Sequence, residues 1–565
     1  MGGRYRADLS GDLDPHAVGD IFTRPKRQPR GAIVTFSTRT RSARFLAPVS
    51  EGIPGAVIMA HTPRRARGRR RVTRCSVMGD STPQIRRLTT PSDLRRRLNE
   101  LGCELPVADR VDPLGPLAAP RSVGGSELHN RFAILPMEGW DGTDDGRPTD
   151  LVRRRWDRFG RSGAALIWGG EAVAVRHDGR ANPRQLCIGA HSIDDLGELR
   201  DLVAASHRSA TAGKDPVVGL QLTHSGRWSR PDGSAAPRIA YRHPLLDDRV
   251  EATDTSLLTD TELDDLVGDF ASAAAVAHEA GFDFVDVKHC HGYLLHELLT
   301  GYDRPGSYGG SFENRTRFLR RAVAAIRSAA PGLGIAVRLS SFDVMPHVAG
   351  DDGVGMPAST EPYPWAFGAD GSGLDIDLDE THRFCRLLVE LGIEMVCVTA
   401  GSPYWCPHVQ RPAYFPPSDG YLPPHDPLVD VACMQAVTRE ITRAHPELTV
   451  VGSGLTYLQD WFAHVAQELV RDDEWMHCVG LGRMVLSHPE LPARTLAGEP
   501  PERRLICRTF SDCTTAPRAG LVSGCWPLDE AYKSRPDRVE LTLAKRAAAQ
   551  RRPAGTRRRA MPEDE

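Results

Sequence analysis

Between about residues 130 and 490, short aliphatic and β-branched runs alternate with amphipathic stretches of helical length. The runs are RFAIL (131–135), AALIWG (164–169), VVGLQLT (217–223), FDFVDV (282–287), GIAVRLS (334–340), IEMVCVTA (393–400), LTVVGSG (448–454) and HCVGLG (477–482). Most are nearly continuous in apolar character, the pattern of strands covered on both faces of a parallel sheet. The segment 260–280 reads as a helix. Thr259 and Glu262 stand at capping-box spacing, Leu263, Val267 and Phe270 share one face, and Gly281 supplies the stop. SFENRTRFLRRAVAAIRSAA (311–330) predicts a further helix after the fourth run. Eight such units predict an α/β fold, a (β/α)8 TIM barrel rather than an open sheet.

In a barrel of this kind, chemistry gathers where the strands end. The polar residues at those ends are Met137 and Glu138 with their loop, Glu171, Gln221 and His224, then Lys288, His291 and Tyr293, Arg338, and His408. The last two strands finish in glycine pairs, Gly452 with Gly454 and Gly480 with Gly482, the latter followed by Arg483. Glycines at these two loops favour phosphate, because backbone N–H groups can approach an anion closely there. The stretch VDVKHCHGYLLHELL (285–299) is the densest in chemistry. A metal site, a Schiff-base lysine, a redox cysteine and the floor of a cofactor pocket are all compatible with it.

Composition adds boundaries rather than a function. The chain has 565 residues, 40% apolar and 25% charged, with a formal net charge of -2. That balance suits a globular protein and gives no global attraction to nucleic acid or membrane. Positive charge is local, in RRARGRRRV (64–72) and KRAAAQRRPAGTRRR (545–559). Residues 1–85, rich in Arg, Gly and Pro, therefore read as a disordered extension, with Met78 as an alternative start. Residues 86–120 form a lead-in, 121–500 the barrel, 501–535 a cysteine-containing segment, and 536–565 a basic tail, helical or disordered. No apolar run is long enough to span a bilayer, and twelve cysteines in so long a chain fit a reducing, cytoplasmic setting.

Seven stretches resemble one known family. They are NRFAILPMEGWDG (130–142), GGEAVAV (169–175), GLQLTHSGR (219–227), HGYLLHELL (291–299), YGGSFENRTRF (308–318), VRLSSFD (337–343) and VGLGR (479–483). Their order and content are similar to the FMN-dependent Old Yellow Enzyme group, the NADH:flavin oxidoreductases. The resemblance implies FMN at the top of the barrel and NAD(P)H as reductant. It places Pro136, Met137, Glu138 and Ala172 beside the flavin ring, Gln221 at its pyrimidine edge and Arg338 near N1 and O2. Ser453, Gly454, Gly482 and Arg483 would hold the phosphate. Lys288, His291 and Tyr293 fall at the substrate-facing positions, with Tyr293 as proton donor. Two residues depart from the family: Lys288, where His is usual, and Glu138, where a small residue is usual. Lys288 implies an anionic or strongly polarised substrate such as a carboxylate-bearing enone, unless it serves only in an ion pair with Asp286.

One branch of the family follows its barrel with four cysteines that ligate an iron–sulfur cluster. Cys507, Cys513 and Cys525 are three, at an unsuitable first spacing, which argues against a cluster. The expected partners are a nicotinamide and a small molecule, not nucleic acid or membrane, with a homo-oligomer left open. The competing readings are a flavin-dependent amine dehydrogenase or demethylase, a Schiff-base aldolase using Lys288, and a scaffold whose arginine tails bind nucleic acid.

Overall fold

The computed structural model describes residues 82–551. Of the extension expected over 1–85, residues 1–81 lie outside the described residues, as do residues 552–565.

Eight parallel strands close into a barrel: β1 Phe132–Ile134, β2 Leu166–Ile167, β3 Val217–Thr223, β4 Phe284–Val287, β5 Gly334–Ser340, β6 Met395–Thr399, β7 Thr449–Gly452 and β8 Cys478–Leu481. Each pairs with the next, and β8 pairs back onto β1 through Val479 and Phe132. A short strand, Ala172–Ala174, extends the sheet beside the upper half of β3. The principal connecting helices are α1 Asp150–Arg161, α2 Ser192–Ala210, α3 Asp260–Glu279, α4 Arg317–Ala329, α5 Asp379–Glu390, α6 Pro427–Ala444 and α7 Phe462–Leu469. The capping box of α3 forms as read from sequence. The Glu262 N–H donates to Thr259 Oγ1 at 3.2 Å, and the Thr259 N–H donates to Glu262 Oε2 at 2.8 Å. Leu263, Val267 and Phe270 are buried on its inner face. The helix expected over 311–330 is divided at Thr316, leaving a one-turn helix and then α4.

Period-two alternation along the strands builds two separate cores. Ala133, Leu166, Phe284, Ala336, Cys397, Val451 and Cys478 point inward and fill the barrel. Ile134, Ile167, Leu220, Val285, Val337, Val396 and Val450 belong to the outer core beneath the helices. Gly219 belongs to the inward set, and a Cβ there would meet the Phe284 ring at 2.3 Å. The same inward register, continued toward the strand ends, carries Gln221, Asp286 and Arg338, and Lys288 just beyond β4. The Gln221 and Asp286 Cα atoms are register partners. Alternation alone thus sets a polar layer over the apolar floor.

The post-barrel segment packs on the top of the barrel. Its Ser523 Oγ accepts from the Trp140 N–H at 2.9 Å, and Thr509 Oγ1 accepts from the Tyr414 N–H at 3.2 Å. Of the two alternatives for the basic tail, the helical one is found over Arg538–Arg551. Leu541 packs with Ala516, Trp526 and Tyr532, and Lys545 pairs with Asp512 at 3.0 Å. Those two anchors hold a helix whose apolar periodicity is weak. Among the described residues, no helix is long and apolar enough to cross a membrane.

Candidate functional site

Asp286 organises the polar layer. Its Oδ2 accepts from Trp168 Nε1 at 2.7 Å and from Gln221 Nε2 at 2.6 Å, and its Oδ1 accepts from the Arg338 N–H at 2.7 Å. Burial raises its pKa, and these hydrogen bonds oppose the rise. All three donors hold the carboxylate within the strand layer, and it makes no ion pair with Lys288. The ion-pair alternative for Lys288 is therefore not formed. The Gln221 amide oxygen is left without a protein donor among the described residues.

Arg338 is buried beside this group. One Nη donates to the Pro136 carbonyl at 3.3 Å, and among the described residues Nε is buried without a partner and no carboxylate pairs with the guanidinium. A buried guanidinium with unmet donors is costly unless an acceptor-rich group completes it.

Beyond β4 the chain reverses sharply. His291 has φ +64° and Gly292 φ +77°, both left-handed; at Gly292 a Cβ would also strike the Trp405 ring at 2.3 Å. Strain at a non-glycine residue such as His291 is characteristic of functional turns. The turn brings Lys288, His291 and Tyr293 together. Lys288 Nζ lies 3.8 Å from the centroid of the Tyr293 ring and has no hydrogen-bond or ion-pair partner among the described residues. Burial lowers its pKa, against the attraction of nearby carboxylates. Burial, then the charges of Arg338 and Lys288, push His291 well below its usual pKa, so its imidazole is neutral at pH 7. Its Nε2 lies 3.2 Å from Thr399 Oγ1 and 3.2 Å from Gln410 Nε2.

Glu138 turns inward. Its Oε2 accepts from the Tyr293 hydroxyl, and Tyr404 OH lies 3.0 Å from the same phenol oxygen. Burial and the Glu138 charge raise the Tyr293 pKa well above its ordinary value. Tyr404 is itself stacked on Trp228, with centroids 4.1 Å apart and planes 5° from parallel.

A second cationic group lies where β6, β7 and β8 end. Arg483 donates to the Pro412 carbonyl at 3.0 Å, and its other terminal nitrogen, Nη1, is buried and unpartnered. Arg411, the residue before that proline, donates to Thr514 Oγ1 and has buried, unpartnered Nε and Nη2. Burial, then repulsion by Arg518 and Arg483, bring its pKa down to about 9. Neither arginine forms an ion pair among the described residues; the nearby Asp419 is taken by Arg518 at 2.8 Å. Gly454 adopts φ +84°, and a Cβ at Gly482 would meet nothing within 4 Å. Ser453 Oγ donates to the Val398 carbonyl at 2.7 Å, which commits its hydroxyl to the fold. This donor set, rich in unpaired guanidinium and open at Gly482, fits the phosphate of a flavin mononucleotide, and Arg338 fits its ring. Sequence reading missed Arg411 because a lone basic residue in a loop has no periodic signal.

The other strand-end and turn residues are held by contacts within the fold. The Glu171 carboxylate is buried and pairs with Arg155 at 2.6 Å, which also holds Asp141. Met137 forms an isolated bridge with Glu171, and its N–H donates to the Gly170 carbonyl at 3.4 Å; Ala172 is buried beside Gln221. His289 Nδ1 donates to the Val287 carbonyl at 2.8 Å, Cys290 is fully buried, and His296 Nδ1 accepts from the Gly292 N–H at 2.9 Å. Burial brings His296 down to about 3 and pushes Cys290 up to about 11. His408 packs among His347, Tyr421 and His425. Among the described residues, no cluster of three or more His, Cys, Asp or Glu side chains is arranged to hold a metal, the three late cysteines included.

Residues 116–354, from the lead-in to just past β5, match the NADH:flavin oxidoreductase / NADH oxidase family. The match spans the first five strands of the barrel, β1 to β5. An NADPH dehydrogenase of Geobacillus sp. (strain WCH70) is 32% identical over 242 residues, 41% of this chain and 64% of that protein. An NADH:flavin oxidoreductase of Gibberella zeae is 26% identical over 305 residues, 50% of this chain and 66% of that protein. The chain thus spans just under two thirds of these relatives. A solved 2-naphthoyl-CoA reductase in complex with 2-naphthoyl-CoA shares the fold, with a TM-score of 0.57 at 16% identity, over 74% of this chain and 57% of that one. Within the family match lie Gln221, Lys288, His291, Tyr293 and Arg338; Arg411, Ser453 and Arg483 lie beyond it.

Proposed function

We propose that this protein is an FMN-dependent oxidoreductase that takes reducing equivalents from NAD(P)H and reduces a polarised alkene conjugated to a carbonyl or carboxylate. The observation that carries the reading is the set of three guanidiniums, Arg338, Arg411 and Arg483, each with a buried, unpartnered nitrogen and none ion-paired with a carboxylate among the described residues. FMN, when bound, supplies hydride transfer between nicotinamide and substrate. Arg338 and Gln221 would meet the ring's polar edge. Pro136, Met137, Glu138 and Ala172 would line it, and Ser453, Gly454, Gly482, Arg483 and Arg411 would surround the phosphate.

Lys288 and His291 would then face the substrate. His291 is held neutral by burial and neighbouring cations, so it contributes a hydrogen bond without charge. Lys288 brings an ammonium with no hydrogen-bond or ion-pair partner among the described residues, suited to a carboxylate or to the oxygen on which negative charge develops. Reduction also needs one proton, and Lys288 and Tyr293 are the two groups placed to give it. The test compares a carboxylate-bearing enone with a neutral cyclic enone. In wild type the acid should show the higher kcat/KM, and Lys288→His should lower the ratio of kcat/KM for the acid to that for the neutral enone by ~10-fold or more. Equal turnover of the neutral enone and the acid by wild type and variant alike would contradict the substrate assignment.

A further inference from the structure

The geometry points to Lys288, and not Tyr293, as the acid that protonates the substrate, an inference that rests on the alkene-reductase reading above. The Tyr293 hydroxyl is fully engaged. It donates to Glu138 Oε2 and has the Tyr404 hydroxyl at 3.0 Å on its other side. To protonate a substrate it would have to break a charge-assisted hydrogen bond to a carboxylate, one of the stronger kinds in a protein. Burial and the Glu138 charge also raise its pKa well above the usual phenol value, which makes it a weaker acid than an ordinary tyrosine.

Lys288 has the opposite properties. Its ammonium rests on the face of the Tyr293 ring, 3.8 Å from the centroid, and donates no hydrogen bond to any described residue. The protons not directed at the ring are therefore free for a ligand. Burial lowers its pKa toward the range in which an acid transfers a proton efficiently near neutrality. The charged and titratable groups around it are Glu138 from the β1 loop, Asp286 on β4, Cys290 and His291 in its own turn, Arg338 on β5, and Tyr293 beneath it. Asp286 is committed to Trp168, Gln221 and the Arg338 amide, and Glu138 to Tyr293, so neither carboxylate neutralises Lys288 by direct contact.

In the step itself, a hydride with its electron pair, delivered ultimately from NAD(P)H, forms a C–H bond at one alkene carbon. The π electrons move to give an enolate. The enolate takes a proton from Lys288 Nζ, completing the second C–H bond at the neighbouring carbon and leaving a neutral amine that regains its proton from water. Two electrons and two hydrogens are added, and nothing else leaves. Glu138 acts as a positioning residue that keeps the Tyr293 proton out of the reaction.

The experiment uses the full chain with its bound flavin, reduced anaerobically by NAD(P)H and mixed in a stopped-flow instrument with 2-cyclohexenone or with menadione. Menadione, a quinone, takes electrons without protonation at carbon. Lys288→Arg keeps the positive charge but does not give up a proton at accessible pH. Its reoxidation by the enone is expected to fall at least ~100-fold, the span of general-acid catalysis. Reoxidation by menadione should stay within about three-fold of wild type, which also shows that the variant is folded and holds flavin. Tyr293→Phe should reoxidise with the enone within about five-fold of wild type. In wild type the enone rate should be full at low pH and fall as pH rises through a value below 10.5, the ordinary lysine pKa from which burial lowers Lys288, and Tyr293→Phe should retain that limb. Glu138→Thr placed in Lys288→Met should recover part of the enone rate by releasing the Tyr293 proton, and no recovery would contradict the role given to Glu138.

Loss of the enone rate in Tyr293→Phe with retention in Lys288→Arg would overturn the assignment. So would full activity in both variants, or a wild type that bleaches and reduces menadione but no alkene; in that last case the flavin reading still stands. A wild type whose spectrum does not respond to NAD(P)H would instead overturn the functional reading itself.

Discussion

Replacing Arg411 and Arg483 together with glutamine is expected to weaken FMN binding by ~100- to 10,000-fold while leaving riboflavin binding within about three-fold of wild type. Each arginine presents buried nitrogens that no described residue satisfies. A charge-assisted hydrogen bond to a phosphate contributes ~1.5–3 kcal/mol, so two such contacts account for that range. Riboflavin carries the same ring without the phosphate, so it isolates the two arginines from anything they do for the fold. Titration of apoprotein followed by quenching of flavin fluorescence measures both affinities. If riboflavin weakens in parallel with FMN, the arginines shape the pocket and do not bind an anion. If neither ligand responds, the anion site is wrongly placed. Arg411→Gln alone should give a partial loss, which separates it from Arg483.

The second large effect is on stability. Arg155→Met is expected to destabilise the protein by ~3–5 kcal/mol, because it removes the partner of two buried carboxylates. Arg155 lies 2.5 Å from Asp141 and 2.6 Å from Glu171, and both carboxylate side chains are wholly shielded from solvent. Burial already raises Glu171 even with Arg155 present. Without the arginine, the Glu171 carboxyl would be held protonated in the fold to a higher pH than in the unfolded chain. A carboxyl raised in this way binds its proton more tightly when folded, so stability falls as pH rises through the interval between its unfolded and folded pKa values. The penalty of Arg155→Met should therefore be smaller at pH 5 than at pH 8. Urea unfolding of wild type and variant at the two pH values tests this, and a penalty under about 1 kcal/mol at pH 8, the size of an exposed pair, would contradict it. The effect reaches the pocket because Met137 bridges to Glu171 in the strand-like turn that carries Glu138.

The barrel was legible because its physics is local and repetitive. Each strand is a short apolar run bounded by polar or glycine residues, and alternation within β3, β4 and β5 decides which side chains line the interior. That alternation also puts Gln221, Asp286, Lys288 and Arg338 on the inner face. Contacts between distant loops carried no such signal. The hydrogen bond from Tyr293 to Glu138 joins residues 155 positions apart, and it changes which of them is free to act. Arg411 sits in an irregular loop, and its unpaired nitrogens are visible only once Arg483 and the post-barrel segment are in place. Asp286 read as a candidate partner for Lys288, whereas its oxygens are taken by Trp168, Gln221 and the Arg338 amide. The tail helix was ambiguous because Leu541 and Lys545 find their partners outside the helix, in the segment around Ala516, Tyr532 and Asp512.

We propose that the unpaired arginines at the top of the barrel hold a flavin that NAD(P)H reduces. The most direct measurement is the visible absorption spectrum of the purified protein during anaerobic titration with NADH and with NADPH. A bound yellow chromophore is expected, released as FMN on denaturation and bleached by at least one of the two nicotinamides. A colourless protein that neither binds added FMN nor oxidises either nicotinamide would contradict it.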